Sequence, residues 1–353
     1  MAAEDRIREL AGEVEPADAS AAEAARGRQS SLLKPPGSLG RLEGLGSRLS
    51  GMAGECPPPV PEGPAVVVCA GDHGVLARGV TPWPGEVTAA MVENFCAGGA
   101  AVNALARTVG ARVSVLDVGV ASELRRHPLL RGAKVRPGTD DLSEGPAMGR
   151  EEAARAVLAG AGIVEELVVS GGVDLLVSGD MGIGNTTPAA CLIAAFTGRP
   201  AEEVTGRGTG IDDATLERKI RVVEGALELH RPDPGDPVGT LAALGGLEHA
   251  ALVGLILMSA VYGLPVLLDG VVSNSAALVA RSLASNSVDY MIAGHLSAEP
   301  GARVALEKLG LEPLLDLEMH LGEGTGGLLA VPLVQAAARA LNEMATLDEA
   351  GIA

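Results

Sequence analysis

Ala65-Val66-Val67-Val68-Cys69-Ala70, followed at once by Gly71-Asp72-His73-Gly74, is the stretch that decides the fold. Six apolar residues without alternation, stopped by glycine, read as a short strand buried on both faces, which is the habit of parallel sheets. The same pattern returns in Val113-Ser114-Val115-Leu116-Asp117, Val173-Asp174-Leu175-Leu176-Val177, Pro265-Val266-Leu267-Leu268-Asp269 and Val288-Asp289-Tyr290-Met291-Ile292. Helical segments separate these runs. Between Asp212 and Leu229, for example, Leu216, Ile220, Val223 and Leu227 share one face while charged residues take the others. The expected fold is α/β, a parallel Rossmann-like sheet with helices on both faces. Before it, residues 1 to about 30 are Ala/Glu-rich and helical in propensity. Leu33-Lys34-Pro35-Pro36-Gly37-Ser38-Leu39-Gly40 then forms an irregular linker or a ligand-facing loop.

Composition narrows the function. A chain of 353 residues that is 47% hydrophobic can bury a large core. A net charge of −18 and an aromatic content of 1% argue against nucleic acid, which needs basic surface and stacking platforms. No apolar run approaches the roughly 20 residues of a membrane span, and no basic-then-apolar leader opens the chain. The expected location is therefore cytoplasmic, where the four scattered cysteines would stay reduced. Six histidines show no zinc-ligand spacing, although His73 and His295 follow predicted strands and stand out for that reason.

In such a sheet, ligands bind beyond the carboxyl ends of the strands. Several Gly-rich segments belong there. Leu321-Gly322-Glu323-Gly324-Thr325-Gly326-Gly327 sets one carboxylate among glycines ahead of an Ala/Leu-rich helix. Glycine permits close approach to a ligand, and a helix start offers N–H groups to an anion, so Glu323 is placed to move a proton beside a bound phosphate. An ordinary polar turn capped by Thr325 is the plain alternative. Ser178-Gly179-Asp180-Met181-Gly182-Ile183-Gly184-Asn185-Thr186-Thr187-Pro188 reads either as a phosphate cradle or as a tight turn with Thr187 as N-cap. It lacks the full dinucleotide fingerprint. Gly206-Arg207-Gly208-Thr209-Gly210 is a third such turn, and the following Asp212 and Asp213 read as caps rather than metal ligands. Lys219 borders the apolar stripe of the next helix and can either curl toward the crevice or stay solvated. Asp269 stands alone, without the paired acid of a diphosphate-and-magnesium loop.

Six blocks taken together resemble one family, the nicotinate-nucleotide:dimethylbenzimidazole phosphoribosyltransferases. They are Lys34 to Glu43, Gly71 to Val75, Gly182 to Pro188, Leu267 to Gly270, His295 to Glu299 and Leu321 to Gly326, in order along nearly the whole chain. The resemblance implies transfer of 5-phosphoribosyl from nicotinate mononucleotide to a ring nitrogen of 5,6-dimethylbenzimidazole, with inversion at the anomeric carbon and release of nicotinate. By that likeness Glu323 is the general base and Asp180 a supporting acid, at a position where many members carry Glu. Lys219, Ser297 and the backbone at Gly182, Gly208 and Gly324 are implied to hold phosphate and ribose, with Asn185, Thr186 and Asp269 also binding substrate. Thr81, Trp83, Met181 and Leu321 are the candidates for the flat base pocket. No cofactor or metal is expected, because nicotinate departs from an already cationic pyridinium. The likeness further implies a homodimer, with a small helical domain from both chain ends (residues 1–60 and 321–353) and a large α/β domain between them (61–320). A transferase acting on another base, such as adenine or a phenolic, would share these motifs, since pocket walls choose the base. A noncatalytic nucleotide sensor could keep the Gly-rich cradle but would have no use for a desolvated Glu323.

Overall fold

In the computed structural model, which describes residues 2–352, six strands form one parallel sheet. They are β1 (Pro64–Gly71), β2 (Arg112–Gly119), β3 (Leu130–Gly132), β4 (Leu175–Met181), β5 (Val266–Leu268) and β6 (Met291–Ala293), in the order β3-β2-β1-β4-β5-β6. The chain therefore starts at the middle of the sheet, builds one side and returns to build the other. The order reverses between β1 and β4, where a crevice opens in folds of this kind. A separate parallel pair joins β7 (His295–Leu296) to β8 (Leu315–Asp316).

Helices α1 (Ala3–Gly12), α2 (Ala19–Ser31) and α3 (Arg41–Ala53) precede the sheet. α4 (Glu86–Ala97) and α5 (Ala101–Val109) follow β1, and α6 (Arg150–Val169) follows β3. After β4 come α7 (Thr186–Thr197), α8 (Ala201–Val204), α9 (Asp213–His230), α10 (Pro237–Leu244) and α11 (Leu247–Val261). α12 (Val271–Leu283), α13 (Pro300–Leu309) and α14 (Thr325–Glu343) complete the chain.

Every residue of β1 is buried, as its unbroken apolar run requires. Alternation along the strands assigns the faces. Val66 and Gly179 turn toward α14: a Cβ on Gly324 would lie 2.6 Å from Val66 Cγ2, and one on Gly179 2.7 Å from the Glu323 carbonyl. Ser178, one residue earlier, points the other way and bonds Ser273 of α12. Helices thus cover both faces. α6 and α11 pack closely where Gly160 meets the backbone of Ala251 and Gly254 that of Val157, and a side chain at either glycine would collide with the opposing helix. At the chain ends, Ala25, Leu32 and Leu341 form a small apolar cluster of their own. α1 instead packs against α6.

Two strand expectations need correction. Val173 and Asp174 precede β4, because the Asp174 carboxylate accepts the N–H groups of Glu62 and Gly63 and caps the entry to β1. Val288, Asp289 and Tyr290 belong to a 3-10 turn, Ser285–Tyr290, so β6 begins only at Met291.

Candidate active site

The carboxyl ends of β4 and β5, the start of α7 and the loops ahead of α9, α13 and α14 enclose one crevice. Thr81, Asp180, Gly182, Asn185, Thr186, Gly208, Lys219, Ser297 and Leu321 all line it, together with Arg207, His295, Glu299 and His320. Residues far apart in sequence meet there because the strand ends, loops and helix starts that carry most of them lie on the same edge of the sheet, with Lys219 reaching in from the body of α9.

α7 begins two residues earlier than its composition suggests. Asn185 occupies the N-cap position and Thr187 lies inside the first turn. The Asn185 amide donates to Asp180 Oδ2 at 2.9 Å. Asp180 is 6% exposed, and burial drives its carboxyl well above the ordinary range. The charges of Asp269, Glu248 and Glu323 push it further in the same direction, while the Asn185 bond opposes them. Asp180 is held as a buried acid that resists ionisation.

Lys219 sits on the inner stripe of α9, in line with Val223 and Ala226, and is 2% exposed. Its ammonium donates to Thr186 Oγ1 at 2.7 Å and to the Gly206 carbonyl at 3.0 Å. Burial brings its pKa down to about 8, against the nearby Glu299 charge that works to keep it protonated. Asp212 caps α9 by accepting the Thr215 N–H at 2.8 Å, as its position predicts.

The loop ahead of α14 differs from expectation. Gly324 is the N-cap, in the left-handed region at φ 84°, and Thr325 starts the helix with its hydroxyl donated to the Gly322 carbonyl. The anion on this helix start is the protein's own. Asp269 accepts Gly324 N–H at 3.1 Å on Oδ2, and Gly326 and Gly327 N–H at 2.7 and 3.1 Å on Oδ1. His295 Nε2 lies 3.4 Å from the same carboxylate. Asp269 is fully buried and does not line the crevice, so it anchors the loop rather than facing a ligand. The N–H of Gly324 is likewise committed, and that of Gly208 donates to Glu299 Oε1 at 2.7 Å. Neither amide is free for a phosphate.

Glu323 projects from this anchored loop at φ 63°, a conformation costly for any side chain and held here by Asp269 on one side and Asp180 on the other. Its own N–H donates to the Asp180 carbonyl at 3.2 Å, and its Oε2 accepts the Val102 N–H at 3.3 Å from the start of α5. Leu321 and Gly322 line the crevice immediately before it. At 4% exposed, its carboxyl is raised in pKa by burial and by the Asp269 charge, against the Val102 bond.

Two candidates for the base pocket lie outside the crevice lining. Met181 ends β4 next to Asp180, and alternation turns it away from the face Asp180 occupies. Trp83, in the loop Thr81-Pro82-Trp83-Pro84, is half-exposed to solvent. Sequence reasoning missed Glu299. The signal was present, since an acid directly before a proline that opens a helix is a helix-start pattern, here in the block His295 to Glu299.

Comparisons agree with this architecture. A family model described as "Phosphoribosyltransferase" matches residues 14–352. A protein named nicotinate-nucleotide–dimethylbenzimidazole phosphoribosyltransferase from Salinispora tropica is 56% identical, over 96% of each chain. One of the same name from Chloroflexus aggregans is 54% identical, over 96% of this chain and 95% of its own. The crystal structure of the enzyme of that name from Thermus thermophilus superposes with a TM-score of 0.90 at 49% identity, covering 95% of this chain and 99% of the other. The chain belongs to the nicotinate-nucleotide–dimethylbenzimidazole phosphoribosyltransferase family.

Proposed function

We propose that the protein transfers 5-phosphoribosyl from nicotinate mononucleotide to 5,6-dimethylbenzimidazole, releasing nicotinate and α-ribazole 5'-phosphate, with Glu323 as general base. The observation that carries the assignment of the base is the setting of Glu323: a buried carboxyl of raised pKa, held in left-handed backbone directly behind Leu321 and Gly322, which line the crevice that also contains Lys219. A carboxylate with its pKa raised is a stronger base for proton abstraction, a contribution typically of about 10² to 10⁴ in rate. Glu323 removes the benzimidazole N–H proton while the other ring nitrogen attacks the anomeric carbon from the face opposite nicotinate. The pyridinium charge on nicotinate is neutralised as the glycosidic bond breaks. Lys219, Thr186 and Ser297 receive the phosphate and ribose, with crevice backbone at Gly182 and the Asn185 side chain beside them. Thr81 and Leu321 flank the incoming base. Asp180, reaching about one methylene less far than a glutamate, supports the site as a neutral acid.

Under the same reading the enzyme is a cytoplasmic homodimer. The cluster of Ala25, Leu32 and Leu341 supports a helical unit from both chain ends, although α1 packs on α6 and so sides with the large unit of residues 61–320. Among the described residues no helix is long and apolar enough to cross a membrane. The decisive experiment is incubation with nicotinate mononucleotide and an equimolar panel of 5,6-dimethylbenzimidazole, adenine and p-cresol, with products identified by chromatography and mass spectrometry. α-Ribazole 5'-phosphate with stoichiometric nicotinate is the expected result. A different nucleotide product would shift the base assignment, and unreacted substrates across a pH series would favour a nucleotide sensor.

A further inference from the structure

Behind the crevice floor, three ionisable side chains that the proposed reaction does not use converge inside the fold. His73 follows the end of β1, and Glu248 and His249 open α11. Their exposures are 4%, 0% and 0%. Glu248 Oε1 lies 2.7 Å from His73 Nε2 and 2.8 Å from His249 Nδ1, and one donor atom from each residue falls within 4.8 Å of the others. Neither short contact has hydrogen-bond alignment: both carboxylate oxygens and all four ring nitrogens lack a hydrogen-bond partner. Leaving so many polar atoms buried and unsatisfied is strongly unfavourable, because each has given up its water without gaining a partner. Even an ion pair that engaged His73 Nε2 and His249 Nδ1 through these short contacts would leave His73 Nδ1 and His249 Nε2 without a partner.

The surroundings are shaped to the cluster. Gly246, the N-cap of α11, presses its backbone against all three residues; a Cβ there would lie 2.6 Å from Glu248 Oε2 and 2.8 Å from His249 Nδ1, besides colliding with the His73 ring. On the opposite side, a Cβ on Gly182 would come within 3.0 Å of His73 Nε2. His73 also borders a surface recess with Asp72, Gly74 and Thr139, which offers a route inward.

We propose that His73, Glu248 and His249 bind one first-row divalent cation, with Zn²⁺ the best match. Two imidazoles and one carboxylate form a donor set suited to zinc, with a water or the second Glu248 oxygen as fourth ligand. Ligands at about 2.0–2.1 Å from zinc in a tetrahedron stand roughly 3.3 Å apart, so binding opens the two short contacts by about half an ångström. The ion would tie the end of β1 to the start of α11 directly beneath Gly182. It takes no part in the transfer. The proposal is independent of which base the enzyme uses.

The test is metal analysis of the full-length protein, demetallated with chelator, reconstituted with Zn²⁺ and dialysed. Inductively coupled plasma mass spectrometry should find about one equivalent bound, and zinc-edge absorption should show imidazole scattering at the distances expected for zinc. Glu248→Gln and His249→Ala, checked for native circular dichroism, should lower the zinc affinity at least ~tenfold. Should either variant fail to fold, Co²⁺ substitution of the wild type decides instead, through the intense visible bands of a tetrahedral site. Substoichiometric zinc after reconstitution, absorption without imidazole, octahedral Co²⁺ bands, or unchanged affinity in folded variants would each overturn the site.

Discussion

Two helix starts on the same edge of the sheet, those of α7 and α14, look alike in sequence and do opposite things. Each follows a glycine-rich loop with a nearby acid, and each reads as a phosphate cradle. At α7, Gly182, Gly184, Asn185 and Thr186 all face the crevice, and Lys219 bonds Thr186 from across it. At α14, the Asp269 carboxylate already occupies the helix start and takes three N–H groups. The first helix start turns its side chains to the crevice, and the second is occupied by an internal carboxylate that anchors the Glu323 loop. Asp180 is the seam between them, accepting from Asn185 on its side chain and from Glu323 on its carbonyl. A glycine-rich helix start therefore signals an anion, and whether that anion is substrate or protein depends on what the neighbouring strand delivers.

The sharpest test of the α14 side is Glu323→Gln, which should lower kcat by roughly 10²–10⁴-fold while leaving the KM for nicotinate mononucleotide nearly unchanged. The wild-type rate should fall as pH drops through the raised Glu323 pKa, because the base must be ionised, and this acid limb should lie above the ordinary glutamate value of about 4.3. Unchanged turnover would break the general-base assignment. Next in size is Asp269→Ala. Releasing three N–H groups should loosen the Glu323 loop and reduce kcat by about 10²-fold, the scale of a misplaced catalytic group. A change in nucleotide affinity alone would mean that Asp269 touches substrate after all.

On the α7 side, Lys219→Met should weaken nicotinate mononucleotide binding by roughly 10–100-fold in calorimetry, the scale of a lost charged hydrogen bond, with a smaller effect on kcat. Because Lys219 titrates near 8, wild-type affinity should decline as pH rises through that value and the cation is lost. The smallest effect concerns the seam. The folded-state pKa of Asp180 lies above its unfolded value, so its contribution to stability is present below about 3.9 and is lost as pH rises through the folded pKa. Asp180→Asn should therefore raise Tm at neutral pH, by roughly 1–3 °C, with the gain vanishing in acid. A lower Tm at pH 7 would show that the ionised carboxylate is supported in the fold.

Much of this was legible from residue patterns, and the exceptions have physical causes. β1 was plain because burial on both faces demands an unbroken apolar run. β3, β7 and β8 are three, two and two residues long, too short for any period to show. Val288 and Tyr290 are apolar enough to pass for strand, yet the first packs beside the core from a 3-10 turn and the second sends its hydroxyl to the Glu15 carbonyl. The crevice residues were readable because glycines and helix starts mark strand ends. What could not be read was which amides are taken. Asp269 is more than fifty residues from Gly324, and only the pairing of strands brings it under that loop. His73 and Glu248 are farther apart still, which hid their meeting from any search by spacing.

The back-to-back contact of Gly179 with the Glu323 backbone has a practical consequence for anyone redesigning this enzyme to accept a new base. A single added methyl at Gly179 would press on the Glu323 carbonyl, and one at Gly324 on Val66. Library positions belong instead at Thr81 and Leu321, which line the crevice, and of which Leu321 is more than half exposed, so that its side-chain volume can change without burying new bulk.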